Sequence, residues 1–184
     1  MLHKNNVYYF IDKFDREEIL KLDKNINVIY RNYNSKLDEK LLIKIKNLCK
    51  FQKRKLFLAN DLKTVLKLNL NGLYIPSFNQ TFLIRGINQK KIEILGSAHS
   101  RREIFIKEKQ GVSKIFIAPV FKVSKKKYFL GTSRFNLLSK VIKKDVIALG
   151  GINKKNINKL RLLNCSGFAS ISYLKGTINN KNGK

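Results

Sequence analysis

Gly150 and Gly151 close the apolar run VIALGGIN, residues 146–153, and a second run, FASISY, residues 168–173, carries Ser170 and Ser172. Glycine has no Cβ, so backbone N–H groups at such a pair can come within hydrogen-bond distance of an anion. The pattern reads as a phosphate cradle; a plain strand-to-helix turn is the competing reading. Further residues able to do chemistry also follow apolar runs: Arg31, Asn60 with Asp61, and His99. A charge such as Arg31 at the end of an apolar strand must find a partner or solvent. Asn60 and Asp61 equally suit the N-cap of the next helix, and His99 could serve only to help cap one.

These residues need elements that bring them to one place. Strands are expected at Val7 to Asp12, Ile26 to Tyr33, Lys55 to Ala59, Gly72 to Ile75, Ile92 to Gly96, Lys114 to Val120, Val146 to Gly151 and Phe168 to Tyr173. Helical spacing lies between them over Asp15 to Leu22, Leu62 to Leu70, Thr81 to Ile87, Arg101 to Gln110, Phe135 to Lys143 and Lys155 to Leu163. Another helix opens at Ser35 in a capping-box pattern and runs to Phe51. Strands alternating with helices signal an α/β fold, and eight repeats favour a closed (β/α)8 TIM barrel over an open sheet. Every functional candidate then lies at or just after the carboxyl end of a strand, on one rim. Two adjacent strands ending in small residues match the way such barrels build a phosphate site from their last two loops. The barrel is expected over residues 1–174 and a polar, disordered tail over 175–184.

The chain has 184 residues, short for a barrel of roughly 250, so its helices must be brief. The formal charge is +27, but the basic residues are mostly Lys, spread through the chain in company with Asn and Ile. Codon drift in an A+T-rich genome yields that mixture, so nucleic-acid binding is not expected, while phosphorylated small molecules would still be drawn in. No apolar run is long enough for a membrane span and no signal-peptide pattern opens the chain, so no membrane association and a cytoplasmic location are expected. Cys49 and Cys165 share no metal-binding spacing and read as buried thiols.

In order, a strand ending in Arg, a strand ending in Asn-Asp, GLYIP, GSAHS, a strand ending in APVF, VIALGGIN and GFASIS resemble the thiamine phosphate synthase and thiazole tautomerase (TenI) superfamily, from about Val7 to Tyr173. The resemblance implies a synthase that joins a hydroxymethylpyrimidine pyrophosphate to a thiazole phosphate with release of pyrophosphate. Arg31 would grip pyrophosphate, which its planar fork suits. Asn60 and Asp61 would sit at the pyrophosphate, with Asp61 on Mg²⁺, and Ser97 would line the same pocket. Lys125, Lys126 or Lys127 would supply a loop lysine beside Val123, and Gly150, Gly151, Ser170, Ile171 and Ser172 would hold the thiazole phosphate. The family has Gln where Ile29 stands, Lys at Tyr33, a second metal carboxylate near Asn79 and Thr at Val123. In the tautomerase branch a His placed like His99 moves one proton, and a helix N-terminus after it keeps the imidazole neutral. A non-catalytic, phosphate-binding regulatory barrel is the third possibility.

Overall fold

The computed structural model describes residues 6–81, 92–124 and 127–180. Eight parallel strands close into a barrel in sequence order: β1 (Val7–Ile11), β2 (Ile26–Tyr30), β3 (Leu56–Ala59), β4 (Gly72–Ile75), β5 (Glu93–Ala98), β6 (Lys114–Ile117), β7 (Asp145–Leu149) and β8 (Gly167–Ala169). The ring closes where Val7 of β1 pairs with Phe168 of β8. Between them run α1 (Arg16–Lys21), α2 (Glu39–Phe51), α3 (Leu62–Lys67), α4 (Arg101–Lys109), α5 (Gly131–Ser139) and a 3₁₀ turn over Ile157–Leu162, and α6 (Ser172–Asn180) follows β8. The helix expected from Thr81 falls almost wholly outside the described residues.

Alternation along each strand sorts side chains between two cores. Tyr8, Phe10, Ile29, Phe57, Tyr74, Leu95, Phe116 and Ile147 fill the barrel interior, while their neighbours Tyr9, Val28, Leu56, Leu73, Ile94, Ile115 and Val146 pack outward against the helices. Phe116 is the hub of the interior, its ring edge-on to Tyr8 at 5.0 Å and to Tyr74 at 5.5 Å. At the amino end of the strands Glu93 accepts hydrogen bonds from Lys114 at 2.5 Å and Lys55 at 2.8 Å. Burial works against the Glu93 charge, but the two lysines outweigh it and hold its carboxyl below its usual range. This ion triplet stoppers the end of the barrel opposite the rim on which the candidates lie.

Several boundaries differ from expectation for local reasons. Helix α2 starts after Asp38 rather than at Ser35, because the Asp38 carboxylate accepts from the amides of Lys40 and Leu41. Strand β6 stops at Ile117, ahead of the cis Ala118–Pro119 peptide, since Pro119 has no N–H to give the ladder. The stretch expected as a helix from Lys155 is a 3₁₀ turn; the side chains of Asn153 and Asn156 take the amides of Lys155 and Asn153 and compete with helical bonding. Ser170 and Ser172 are not in a strand: β8 ends at Ala169 and Ser172 opens α6. Nor are residues 175–180 a disordered tail, because α6 runs through them with Leu174 and Ile178 buried one turn apart. Both cysteines are free thiols; Cys49 is buried and Cys165 partly so.

Candidate functional site

A cavity of about 410 Å³ opens at the carboxyl ends of the strands. Strand alternation dictates what lines it: continuing the inward rows past Ile29 and Leu95 by two residues places Arg31 and Ser97 above the apolar interior, and both line the cavity. His99, Val123, Gly150, Gly151, Ser170, Ile171 and Ser172 complete the group that the structure brings together there. Asn60 and Asp61 lie outside this lining, on the β3 side of the rim. Lys125 and Lys126 lie outside the described residues, while the Lys127 ammonium sits 5.9 Å from the Tyr128 ring.

The Arg31 guanidinium is held 4.5 Å over the Phe10 ring and donates to the Tyr74 hydroxyl oxygen, which is also bonded to Ser97. An aromatic floor and a fixed acceptor leave the rest of the fork for an anion. Tyr74 itself is driven above the usual phenol range by burial, against the pull of Ser97 and Arg31. Sequence reasoning missed Phe10 and Tyr74; their place in the inward row of β1 and β4 is the signal that would have found them.

Opposite, Gly150 and Gly151 have φ of 94° and 73°. A Cβ on Gly150 would meet Pro119 Cα at 2.9 Å, and one on Gly151 the carbonyl oxygens of Phe121 and Lys122 at 2.5 and 2.6 Å. The Gly150 carbonyl accepts from the Phe121 amide, and Gly151's from Asn156. Across each trans peptide the following N–H points the opposite way, as an anion cradle requires. Ser170 is less free than expected: its hydroxyl donates to the Ile152 carbonyl at 2.9 Å and accepts from the Tyr173 amide at 3.1 Å. Ser172, exposed at the start of α6, is the hydroxyl left for a ligand. His99 has its Nδ1 2.5 Å from the Ala118 carbonyl, which can only accept, so Nδ1 carries a proton and donates it there. Its backbone N–H donates to Glu103, whose own amide is capped by Ser100.

Among the described residues the β3 side offers oxygen ligands but only one carboxylate, Asp61. Asp61 caps α3, its two oxygens accepting from the Thr64 amide at 2.9 Å and hydroxyl at 2.8 Å. Asn79 Nδ2 donates to Asn60 Oδ1 at 2.6 Å, and its own Oδ1 accepts from Thr81. Asn60 adopts φ 63°, which asparagine tolerates. Among the described residues no three His, Cys, Asp or Glu side chains cluster to hold a metal. Each Asp61 oxygen retains a second lone pair, so this donor set fits a Mg²⁺ carried in largely hydrated on a polyphosphate, not a caged resident ion. Of the departures noted in the sequence, Ile29 is fully buried in the barrel interior and Tyr33 pairs edge-on with Phe78 at 5.5 Å at the cavity mouth.

Residues 17–174 match the family model described as thiamine monophosphate synthase. The chain is 27% identical over 195 residues to the thiamine-phosphate synthase of Prochlorococcus marinus subsp. pastoris, covering all of this chain and 54% of that protein. A second Prochlorococcus marinus thiamine-phosphate synthase is 29% identical over 200 residues, with the same coverage of 100% and 54%. The chain thus spans about half the length of the curated relatives it matches. Among solved structures, thiamine phosphate pyrophosphorylase from Pyrococcus furiosus superposes with a TM-score of 0.78 at 18% identity, covering 98% of this chain and 95% of that one. The corresponding protein from Bacteroides thetaiotaomicron gives 0.59 at 15% identity, over 90% and 82%. At these identities the structural likeness speaks to fold.

Proposed function

Because the chain belongs to the thiamine monophosphate synthase family, we propose that it is a transferase joining a hydroxymethylpyrimidine pyrophosphate to a thiazole phosphate with release of pyrophosphate. The observation that supports this reading best is the presence of two anion-binding ends on one cavity: the Arg31 guanidinium, set over Phe10 and bonded to Tyr74, and the Gly150–Gly151 turn with Ser172. Two substrates that each carry phosphate, brought together over a dry apolar floor, need such an arrangement.

The chemistry asks little of general acids or bases. The carbon–oxygen bond to pyrophosphate breaks, the electron pair leaves with pyrophosphate, and the thiazole captures the pyrimidine cation. Arg31 grips the departing pyrophosphate, with Asn60 and Asp61 at its edge, and the buried interior beneath keeps water from the cation. Mg²⁺ bound with the pyrophosphate would supply further neutralisation of leaving-group charge, with Asp61 and Asn60 as its protein oxygens. Gly150, Gly151 and Ser172 fix the thiazole phosphate, so capture becomes a reaction between positioned partners. Val123 lines the cavity wall, and by the resemblance one or more of Lys125, Lys126 and Lys127 would add positive charge for the same pyrophosphate.

Formation of thiamine phosphate by purified protein given both substrates and Mg²⁺ tests the reading. Arg31→Ala should lower kcat/KM by about 10²- to 10³-fold, the typical cost of removing one charge-stabilising donor, and Asp61→Ala should raise the Mg²⁺ concentration required. The Nδ1–H bond of His99 to the Ala118 carbonyl supports a second reading, a metal-independent tautomerase with Nε2 of the neutral ring as the base. Turnover that needs no metal and vanishes in His99→Ala would establish it in place of the first. Thiazole phosphate binding without either reaction would leave a regulatory barrel.

A further inference from the structure

Lys107 is fully buried on α4, and nothing in the reaction above uses it. Its ammonium donates to the carbonyls of Pro76 at 2.8 Å and Asn79 at 2.7 Å and to Gln110 Oε1 at 2.9 Å, so all three of its protons have acceptors. Gln110 Nε2 in turn donates to the Asn79 carbonyl at 3.0 Å and the Thr81 carbonyl at 2.8 Å. The stem reaches the loop by crossing Gly96 of β5, where a Cβ would come within 2.9 Å of Lys107 Cδ. Two side chains, Lys107 on α4 and Gln110 at its C-cap, thus hold the backbone of the loop after β4 from behind.

The front of that loop is the cavity. Pro76, Ser77 and Phe78 line it, Phe78 meets Tyr33 across the mouth, and Asn79 donates to Asn60. An apolar side chain of similar length would fill the space behind the loop without the desolvation cost of a buried ammonium. What Lys107 and Gln110 add is directional, because four hydrogen bonds to carbonyls fix where the loop lies.

We propose that Lys107, assisted by Gln110, is a positioning residue that fixes the β4 loop so that Phe78 and Asn79 form the pyrophosphate-side wall of the site. The role rests on the reading of that rim as the pyrophosphate end. Lys107 touches no substrate and acts through the loop carbonyls.

The test compares the unaltered protein with Lys107→Met, which keeps an unbranched stem and removes the charge. Its readouts are calorimetric binding of inorganic pyrophosphate with Mg²⁺ and hydrogen exchange at the Asn79 and Thr81 amides, which bond to the Pro76 carbonyl and to Asn79 Oδ1. Pyrophosphate binding should weaken about tenfold, the two amides should exchange at least about tenfold faster while those of α4 keep their rates, and KM should rise for the pyrophosphate substrate alone. Should Lys107→Met fail to fold, Gln110→Met leaves the ammonium in place, and the same changes are expected at about threefold. Pyrophosphate affinity and loop exchange both within about twofold of the unaltered protein, in a folded variant, overturn the proposal. If the unaltered protein binds no pyrophosphate, the functional reading fails, and the exchange rates alone uphold or overturn the clamp.

Discussion

Gly151 shows how much of the site depends on one residue's having no side chain. Its φ of 73° and the carbonyls of Phe121 and Lys122 leave no room for a Cβ, so Gly151→Ala must move the β6 loop or the turn itself. Urea denaturation should show a loss of about 1–3 kcal/mol, and binding of inorganic phosphate should weaken in the same variant. Arg31, His99 and the Gly-Gly pair were legible in the sequence because each interrupts or ends an apolar run. Phe10 and Tyr74 were not. In a barrel both faces of a strand are buried, so an aromatic residue aimed at the site and one aimed at a helix look alike until the inward row is known. Ser170 was legible as a polar residue near the cradle, but its engagement by Ile152 depends on a contact between two loops, and its bond from the Tyr173 amide on where α6 begins.

At the scale of elements, α4 and α6 carry the clearest tests. Burial lowers Lys107 from 10.5 to about 8, while the charge of Glu103 pulls the other way. Between those values the unfolded chain holds the proton more firmly than the folded one, so stability attributable to Lys107 rises as pH increases through that window. Cys49, pushed from 9.0 up to about 12 by burial, acts with the opposite sign but only from about pH 9 upward. From pH 7.5 to 9 the melting temperature of the unaltered protein should therefore climb relative to that of Lys107→Met; parallel curves would refute this account of the buried ammonium. In α6, Leu174→Ala should cost about 2–4 kcal/mol by denaturation, as for other buried leucines. That helix escaped notice because residues 175–184 are polar in sum, whereas its stability comes from Leu174 and Ile178, one on either side of the apparent boundary.

For the molecule as a whole, charge and closure have separate consequences. The net charge of +27 is far from balance, and Lys13 and Lys175 line a second cavity that shares Arg31 with the site. Screening at ionic strengths near 0.15 M limits such fields to about 8 Å. Raising salt from about 20 to about 200 mM should lower kcat/KM for the pyrophosphate substrate several-fold, chiefly through KM; an unchanged value would mean that the surface lysines play no part in capture. Closure depends on the interior. Phe116→Ala, emptying the hub shared by Tyr8, Phe10 and Tyr74, should cost about 3–5 kcal/mol in chemical denaturation.

The sequence by itself determined the eight alternations of strand and helix, and with them the barrel and the rim on which Arg31, Asn60, His99 and Gly150 stand, because those signals are local: apolar runs, caps and glycines. Only the tertiary structure decided which of these residues share the cavity. It left Asn60 and Asp61 outside the cavity lining, turned Ser170 inward to brace the neighbouring loop, and brought Lys107, more than twenty-five residues away in the chain, behind the Asn79 backbone. Those outcomes follow from the stagger of closed strands and from hydrogen bonds between loops distant in sequence, which no local pattern encodes.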